Sequence, residues 1–480
     1  MQSLQRQQLL RKHGKMRWVF YGLPLIALAL TLIGFQVKLT TTRAATSVTE
    51  NTSELVQLSH DPYTNGSPIS GENVYHQTGY EPAAYAFDST IVSTFQVGRF
   101  DGGGSTNLGW ATSTDAGRHW HTGLLSGITT YAGGTHARVS NASVAYDPKH
   151  HVWLIESLVI DNTTIGGNPA ITSSGVVVSR SLDGGLTWSA PVVVSMAPSG
   201  DVNGYDKPWM SCDTSAHSSF YGNCYILWND TPAQDLSTST DGGATWGEVK
   251  HSAQPFNGIP GQLIVQPNGT VVVVTTNDSQ APLAEPLVAF TSTDGGQSWG
   301  AAVTVTTQFS LLPSLTEDAN GTLYALWAGP PPGGNSNGNA VFLVSSTDGV
   351  HWTAPQTVIA PGGATIYYDH VALAADPQTR GPHTHLGLTY YTTDDAAPPA
   401  TMQPFFLSST DAGQHWSTAQ ALSDPISTNW LVPKGQSVGD YISTVFSHEQ
   451  AFPFFVIGTE RGSNDPYHQE VYTLKEGIRC

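Results

Sequence analysis

One eight-residue phrase recurs along this chain and constrains its fold more than any other feature: Ser-x-Asp-x-Gly-x-x-Trp. It reads STDAGRHW at 113–120, SLDGGLTW at 181–188, STDGGATW at 239–246, STDGGQSW at 292–299 and STDAGQHW at 409–416, with a shortened copy, STDGVHW, at 346–352. The aspartates stand at 115, 183, 241, 294, 348 and 411, so successive copies lie 68, 58, 53, 54 and 63 residues apart. Periods of this size mark repeated supersecondary units. Each residue type has a local task. Ser and Asp side chains bond back to nearby amides and fix a tight turn, Gly supplies a backbone angle other residues avoid, and Trp folds over the turn and covers it. The phrase is a hairpin staple.

The flanks agree. An apolar run precedes each staple, as in Val176–Ser179 or Val341–Ser345, and another follows, as in Pro191–Ser195 or Ala302–Val305. Upstream lie two more runs joined by a turn, such as Pro267-Asn268-Gly269, whose Asn-Gly pair signals a hairpin. Each unit is thus four antiparallel strands, and the fold class is all-β. Composition concurs: charged residues are 12% against the usual ~25%, aromatics are 10%, and Gly and Pro number 49 and 30 without a three-residue period. Disordered, collagenous and coiled-coil chains are excluded. Candidate innermost strands are 82–87, 142–146, 208–212, 261–266, 314–316, 370–374 and 441–446. The last unit, 436–475, has three strands, and Ser53–Leu58 is an orphan strand at the other end. Pairing the two would remove a free edge. Seven blades closed in this way are expected, with six as the runner-up.

The phrase resembles the Asp-box, or BNR, repeat of the sialidases and many other propellers, and the resemblance covers nearly all of residues 72–475. It implies a β-propeller with its Asp boxes at the periphery and its ligand at the mouth of the central channel. Residues leading into innermost strands include Glu81, Asn141, Asp206-Lys207, Asn257, Tyr368-Asp369-His370 and Asp440-Tyr441; those after second strands include Arg99, Asp161, Asp230, Asp278, Asp394-Asp395 and Glu460-Arg461. Glu81, Asp206, Asp369 and Asp440 form an acidic set, able to raise one another's pKa values or hold a cation. Arg99, Arg138 and Arg461 fall on adjoining blades once the ring closes, and planar guanidinium forks suit a carboxylate ligand. Sialidases hold a sugar carboxylate with three arginines and use a Tyr nucleophile, its activating Glu and an acid/base Asp. The resemblance therefore implies Tyr441 as nucleophile, Glu81 or Glu460 as its base, and Asp206 or Asp369 as the acid. The family's Arg-Ile-Pro motif is missing; Glu81-Pro82-Ala83 stands there. The implied function is a sialidase-like propeller that recognises glycans or hydrolyses terminal sialic-acid-like sugars. The alternative is a non-catalytic propeller binding proteins or glycans at the cell surface.

Compartment follows from charge. Arg6, Arg11, Lys12, Lys15 and Arg17 precede an uncharged run, Trp18–Phe35, and no acid appears before Glu50. Eighteen residues span roughly 27 Å as a helix, near the ~30 Å hydrocarbon core. Residues 1–17 read as a cytoplasmic basic tail, 18–35 as a signal-anchor transmembrane helix, 36–52 as a linker, 53–475 as the propeller and 476–480 as a tail. Cleavage near Arg43-Ala44-Ala45-Thr46 would instead give a secreted protein. The net charge of −18 argues against nucleic-acid binding. Cys212 and Cys224, in MSCDTSAHSSFYGNCYILW, end and begin strand-like runs and are expected to form a disulfide, which an exported compartment preserves. Metal ligation, their other reading, lacks a nearby His pair. The 17 His are scattered and no cofactor-binding motif appears, so no metal or cofactor is expected. The expected partner is a glycan or cell-surface glycoconjugate.

Overall fold

The alternation of apolar and small polar residues forms antiparallel sheets throughout the computed structural model, which describes residues 49–50, 54–67, 71–165, 168–198, 204–230, 233–252, 261–277, 286–308, 312–331, 338–432, 438–462 and 467–480. Among them, strand pairing defines seven four-stranded antiparallel units, the pattern of propeller blades. The first six occupy 74–124, 138–196, 206–251, 262–306, 314–359 and 366–421. The seventh combines Ser443–Ser447, Gln450–Gly458 and Gln469–Leu474 with Leu55–Gln57 from the other end of the chain. The orphan strand thus closes the last sheet, with Leu55 opposite Leu474 and Gln57 opposite Tyr472.

The first strand of each sheet packs against the first strand of the next, and the seventh against the first, so these strands form a closed ring. Their inner edges carry amides with no fifth strand to pair with, and such groups need partners. Side chains of neighbouring first strands supply them. Ser443 Oγ accepts from Ala84 N at 3.1 Å, Ser143 Oγ from Met210 N at 2.9 Å, Gln262 Oε1 from Leu315 N at 2.7 Å and Ser314 Oγ from Leu373 N at 2.9 Å.

Strands are apolar on both faces because each sheet is covered on both sides. Val271–Thr276 is buried at every position. The core accordingly lies in the joints: Leu154, Val176 and Val178 of the second sheet meet Met210, Ile226 and Trp228 of the third, and Val272 and Ala289 of the fourth meet Trp327 and Phe342 of the fifth.

The staples fold as their residue types require. In the second copy Ser181 Oγ donates to Asp183 Oδ1 at 2.7 Å and accepts from Gly185 N at 2.8 Å, while Thr187 N donates to Asp183 at 2.9 Å. The other full copies repeat these bonds, and the shortened copy keeps them at Ser346, Asp348 and His351. Hydrogen bonds from Thr187 hold the Asp183 carboxyl at about 2, and those from His415 do the same for Asp411. Gly185, at φ +85°, lets the turn press on the neighbouring sheet: a Cβ there would meet Val92 at 2.9 Å, and Thr112 Oγ1 donates to its carbonyl at 2.7 Å. The aspartates are therefore structural.

Cys212 and Cys224 are joined in a disulfide, opposite one another in register with Cα atoms 4.0 Å apart. At the C-terminal end Ile478–Arg479 pairs with Gln450–Ala451, and Ile478 packs on the core. Thr49–Glu50, expected in the linker, pairs in parallel with Gln420–Ala421 at the open edge of the sixth sheet. Residues 1–48, with the basic tail and the apolar run, lie outside the described residues. Among the described residues no helix is long and apolar enough to cross a membrane.

Candidate functional site at the channel mouth

The inlets to the first strands share one distortion. Register shifts interrupt the first and second strands around Glu81, Asn141, Lys207 and His370. These four residues hold φ of +55°, +37°, +48° and +51°, a region most side chains avoid. A bulge re-aims the side chain it carries, and repeated from blade to blade it gathers polar groups at one end of the ring.

Lys207 is the hub. Its side chain is 7% exposed and its ammonium forms an ion pair with Asp440. Nζ also donates to Asn141 Oδ1 at 2.9 Å and lies 3.9 Å from Glu81 Oε1. Asn141 Nδ2 donates in turn to Asp206 Oδ1 at 3.1 Å. Glu81 accepts from Asp440 N at 2.8 Å and from the Gln96 amide. Gln96 accepts from Tyr80 OH at 2.6 Å, and Arg99 donates to that same hydroxyl. Burial pushes Glu81 up, against the pull of Lys207. Burial also pushes Asp440 up, but Lys207 overcomes it and holds that carboxyl at about 2. Gly439 makes the contact between the two segments feasible. At φ +121° it lies so close to Glu81 that a Cβ would fall 2.5 Å from Glu81 Cγ and 2.8 Å from its amide nitrogen. His370 Nε2 donates to the Gly439 carbonyl at 2.7 Å.

The structure therefore gathers Glu81, Asp206 and Asp440 around Lys207. It leaves Asp369 outside that bonded network; its carboxylate accepts from Thr393 of its own sheet at 2.8 Å. Tyr441 is half-buried, and desolvation raises its phenol well above the usual range. Its hydroxyl accepts from Ala142 N at 2.8 Å and donates to Ala142 O at 2.9 Å, bonding the inner edge of the second sheet as serines do elsewhere. Neither Glu81 nor Glu460 is the partner of that hydroxyl, and Glu460 is exposed.

Each of the three arginines lies against an aromatic ring. Arg138 is fully buried and grips Glu72 with both nitrogens, at 2.9 and 2.5 Å, over the ring of Phe100. Arg99 lies against Tyr80. Arg461 stacks on Tyr467, 3.8 Å from the ring centroid. Arg99 and Arg138 are neighbours, since both guanidinium groups reach the adjacent carbonyls of Gly104 and Gly103, at 3.4 and 3.0 Å. Asn257 and Asp278 lie outside the described residues.

Sequence reasoning missed the partners. Lys207 stood beside Asp206 in an inlet already singled out, and its charge was the available signal. Glu72, Gln96 and Tyr80 carried none. Neither did Glu156, a fully buried residue of a second strand whose carboxyl burial raises well above its ordinary value. Among the described residues no cluster of three or more His, Cys, Asp or Glu is arranged to hold a metal ion.

No protein-family model matches the chain. No curated protein matches it either. Solved structures do. A leech intramolecular trans-sialidase complexed with 2,7-anhydro-Neu5Ac is 13% identical, over 68% of this chain and 67% of its own, at a TM-score of 0.43. A Hadza microbial sialidase is 15% identical, over 77% and 71%, at 0.45. A Penicillium chrysogenum alpha-L-arabinanase complexed with arabinobiose is 14% identical, over 70% and 93%, at 0.42.

Proposed function

We propose that this chain is a non-catalytic, seven-bladed Asp-box propeller that recognises glycans outside the cytoplasm. One observation carries the non-catalytic half. The Tyr441 hydroxyl, the nucleophile implied by the sialidase resemblance, is bonded in both directions to the Ala142 backbone. A nucleophilic phenol needs a base within hydrogen-bond reach, and the nearby carboxylate of Glu81 is bonded to Gln96 and to the Asp440 amide. Arg138 is likewise engaged by Glu72. The glycan half is supported by the six Asp boxes, a resemblance at the level of motif and fold. The extracytoplasmic placement is supported by the basic stretch before Trp18–Phe35 and by the Cys212–Cys224 disulfide. In this reading residues 18–35 anchor the propeller to the cell membrane, with residues 1–17 inside.

The test is a fluorogenic sialoside, 4-methylumbelliferyl N-acetylneuraminide, offered to the purified protein and to Tyr441→Phe. The expected result is no turnover by either. Turnover by the native protein that Tyr441→Phe abolishes overturns the non-catalytic reading.

A further inference from the structure

On the face opposite the mouth, where the first strands end, the first two sheets enclose a pocket of about 270 Å3. Phe87 closes the first strand of the first sheet, and Tyr146 and Trp153 flank the first turn of the second. Their rings pack in series, each tilted against the next. Phe87 and Tyr146 have centroids 4.6 Å apart at 42°, and Tyr146 and Trp153 are 4.8 Å apart at 36°. Asp88 and His151, one from each turn, add polar groups, and Leu182, 71% exposed, stands on the rim. Asp88 takes part in one internal bond through its backbone carbonyl, which accepts from Ser447. Among the described residues none hydrogen-bonds the Asp88 carboxylate, the His151 ring, the Tyr146 hydroxyl or the Trp153 indole.

An aromatic wall beside unpartnered donors and acceptors fits a ligand with an apolar face and a polar edge. A pyranose ring has that form: its axial C–H face lies on an aromatic ring while its hydroxyls meet polar groups at the rim. The volume falls just below the ~300–1,000 Å3 of small-molecule clefts, so one ring fits rather than several. Asp88 is the one full charge on the wall and disfavours an anionic sugar. A cation would find aromatic faces and a carboxylate, but it has no use for the indole, phenol and imidazole donors gathered there. We propose that this pocket binds one neutral hexopyranose ring of a glycan chain, at a site separate from the channel mouth. The proposal rests on the glycan-recognition reading above and gives it a location.

The experiment is saturation-transfer NMR and calorimetry on the purified protein. The probes are methyl β-glucopyranoside, methyl β-galactopyranoside and methyl α-mannopyranoside, with tetramethylammonium and phenylalaninamide as competing chemistries. At least one glycoside is expected to bind. Tyr146→Ala and Asp88→Asn are each expected to weaken it by about fivefold or more, the equivalent of one lost contact. Asp88→Asn also keeps the melting temperature, which separates lost binding from lost folding. Glycoside binding that neither variant alters overturns this site while leaving the glycan reading standing. No glycoside binding overturns this site, and the glycan reading then stands or falls on its own binding assay with charged sugars. Binding of tetramethylammonium or phenylalaninamide in place of every glycoside overturns the sugar assignment.

Discussion

The two faces of the ring treat polar groups in opposite ways. At the mouth, Glu81, Asn141, Asp206, Lys207 and Asp440 are bonded to one another, and Tyr80, Gln96 and Arg99 extend the chain of bonds outward. On the far face, Asp88, His151, Tyr146 and Trp153 surround a series of tilted aromatic rings with their side-chain polar atoms unpaired by any described residue. Charged residues gathered at one place can thus be bonded to one another within the fold. The mouth lies where inlets of several blades must meet in little water, and buried charges there persist only when paired. Its polarity is accounted for by joining blades. On the far face Asp88 and His151 are exposed to solvent, and their polar atoms are open to a ligand that displaces water.

The largest effect expected from breaking this contrast is at Lys207. Replacing it by Met removes the cation paired with Asp440 and Glu81 and leaves them facing each other, with Arg99 as the remaining positive charge nearby. Removing one partner of a buried pair costs roughly 3–5 kcal/mol. Urea denaturation of Lys207→Met at pH 7 should show a loss of that order. The loss should shrink near pH 3, where the carboxylates of the variant take up protons. A loss below about 1 kcal/mol at pH 7 would mean that the mouth is far more hydrated than its burial indicates.

The other end of the same strand gives the next effect. Lys207 stands near the start of Asp206–Cys212, and Cys212 ends it, bonded to Cys224 across a separation of 12 residues. Closing a loop of this size restricts the unfolded chain and contributes about 3 kcal/mol. Cys212→Ser with Cys224→Ser should lower the urea midpoint by the corresponding amount at any pH from 5 to 8. The Lys207→Met loss depends on pH and this one does not, so the pair separates an electrostatic staple from a covalent one.

The covalent staple was legible in the sequence and the electrostatic one was not. Cys212 and Cys224 are joined by one turn, so pairing the strands places them opposite each other. The Asp boxes are local for the same reason, each built within four residues. The closing strand was legible because a unit with three strands requires a fourth. Lys207 and Asp440 are 233 positions apart, and Arg138 and Glu72 are 66 apart. Their meeting is set by how blades rotate about the ring and by bulges at the inlets, and a single extra residue turns a side chain to the other face. Sequence places Glu81, Asp206 and Tyr441 at the correct end of their strands. It does not tell which way Tyr441 points, and that direction separates a nucleophile from a bond to Ala142.

A pH titration sharpens the contrast by pitting the mouth against the seam where the ring closes. Asp440 is held at about 2, below its unfolded value of 3.8. Its contribution is complete above pH 3.8 and is lost as pH falls toward 2. Glu470 shifts the other way, raised from 4.5 to about 7 by burial, against the Ser59 hydroxyl that donates to it, with Asp61 nearby adding to the rise. The folded state there binds the proton more tightly, so its contribution is complete below pH 4.5 and is lost as pH rises to 7. With partial solvent exposure taken into account, the loss is about 2 kcal/mol. Stability of the native protein is therefore expected to fall between pH 4.5 and 7, and Glu470→Gln to flatten that slope. An unchanged slope in the variant would assign the titration elsewhere.

The smallest effect is expected on the far face, and its smallness is the point. Asp88 sits in the turn between the first two strands at φ +52°, a conformation Asn adopts as readily as Asp. Its carboxylate has no bond to lose, so Asp88→Asn removes a charge and leaves the backbone undisturbed. Leu182 is 71% exposed, and Leu182→Thr likewise removes little packing. Surface changes of this kind alter stability by less than about 0.5 kcal/mol. Both variants should melt with the native protein, while Lys207→Met melts well below it. A large loss in Asp88→Asn would show that the carboxylate has a structural partner after all, and the far pocket would then resemble the mouth: polar because the fold needs it, with nothing left over for a ligand.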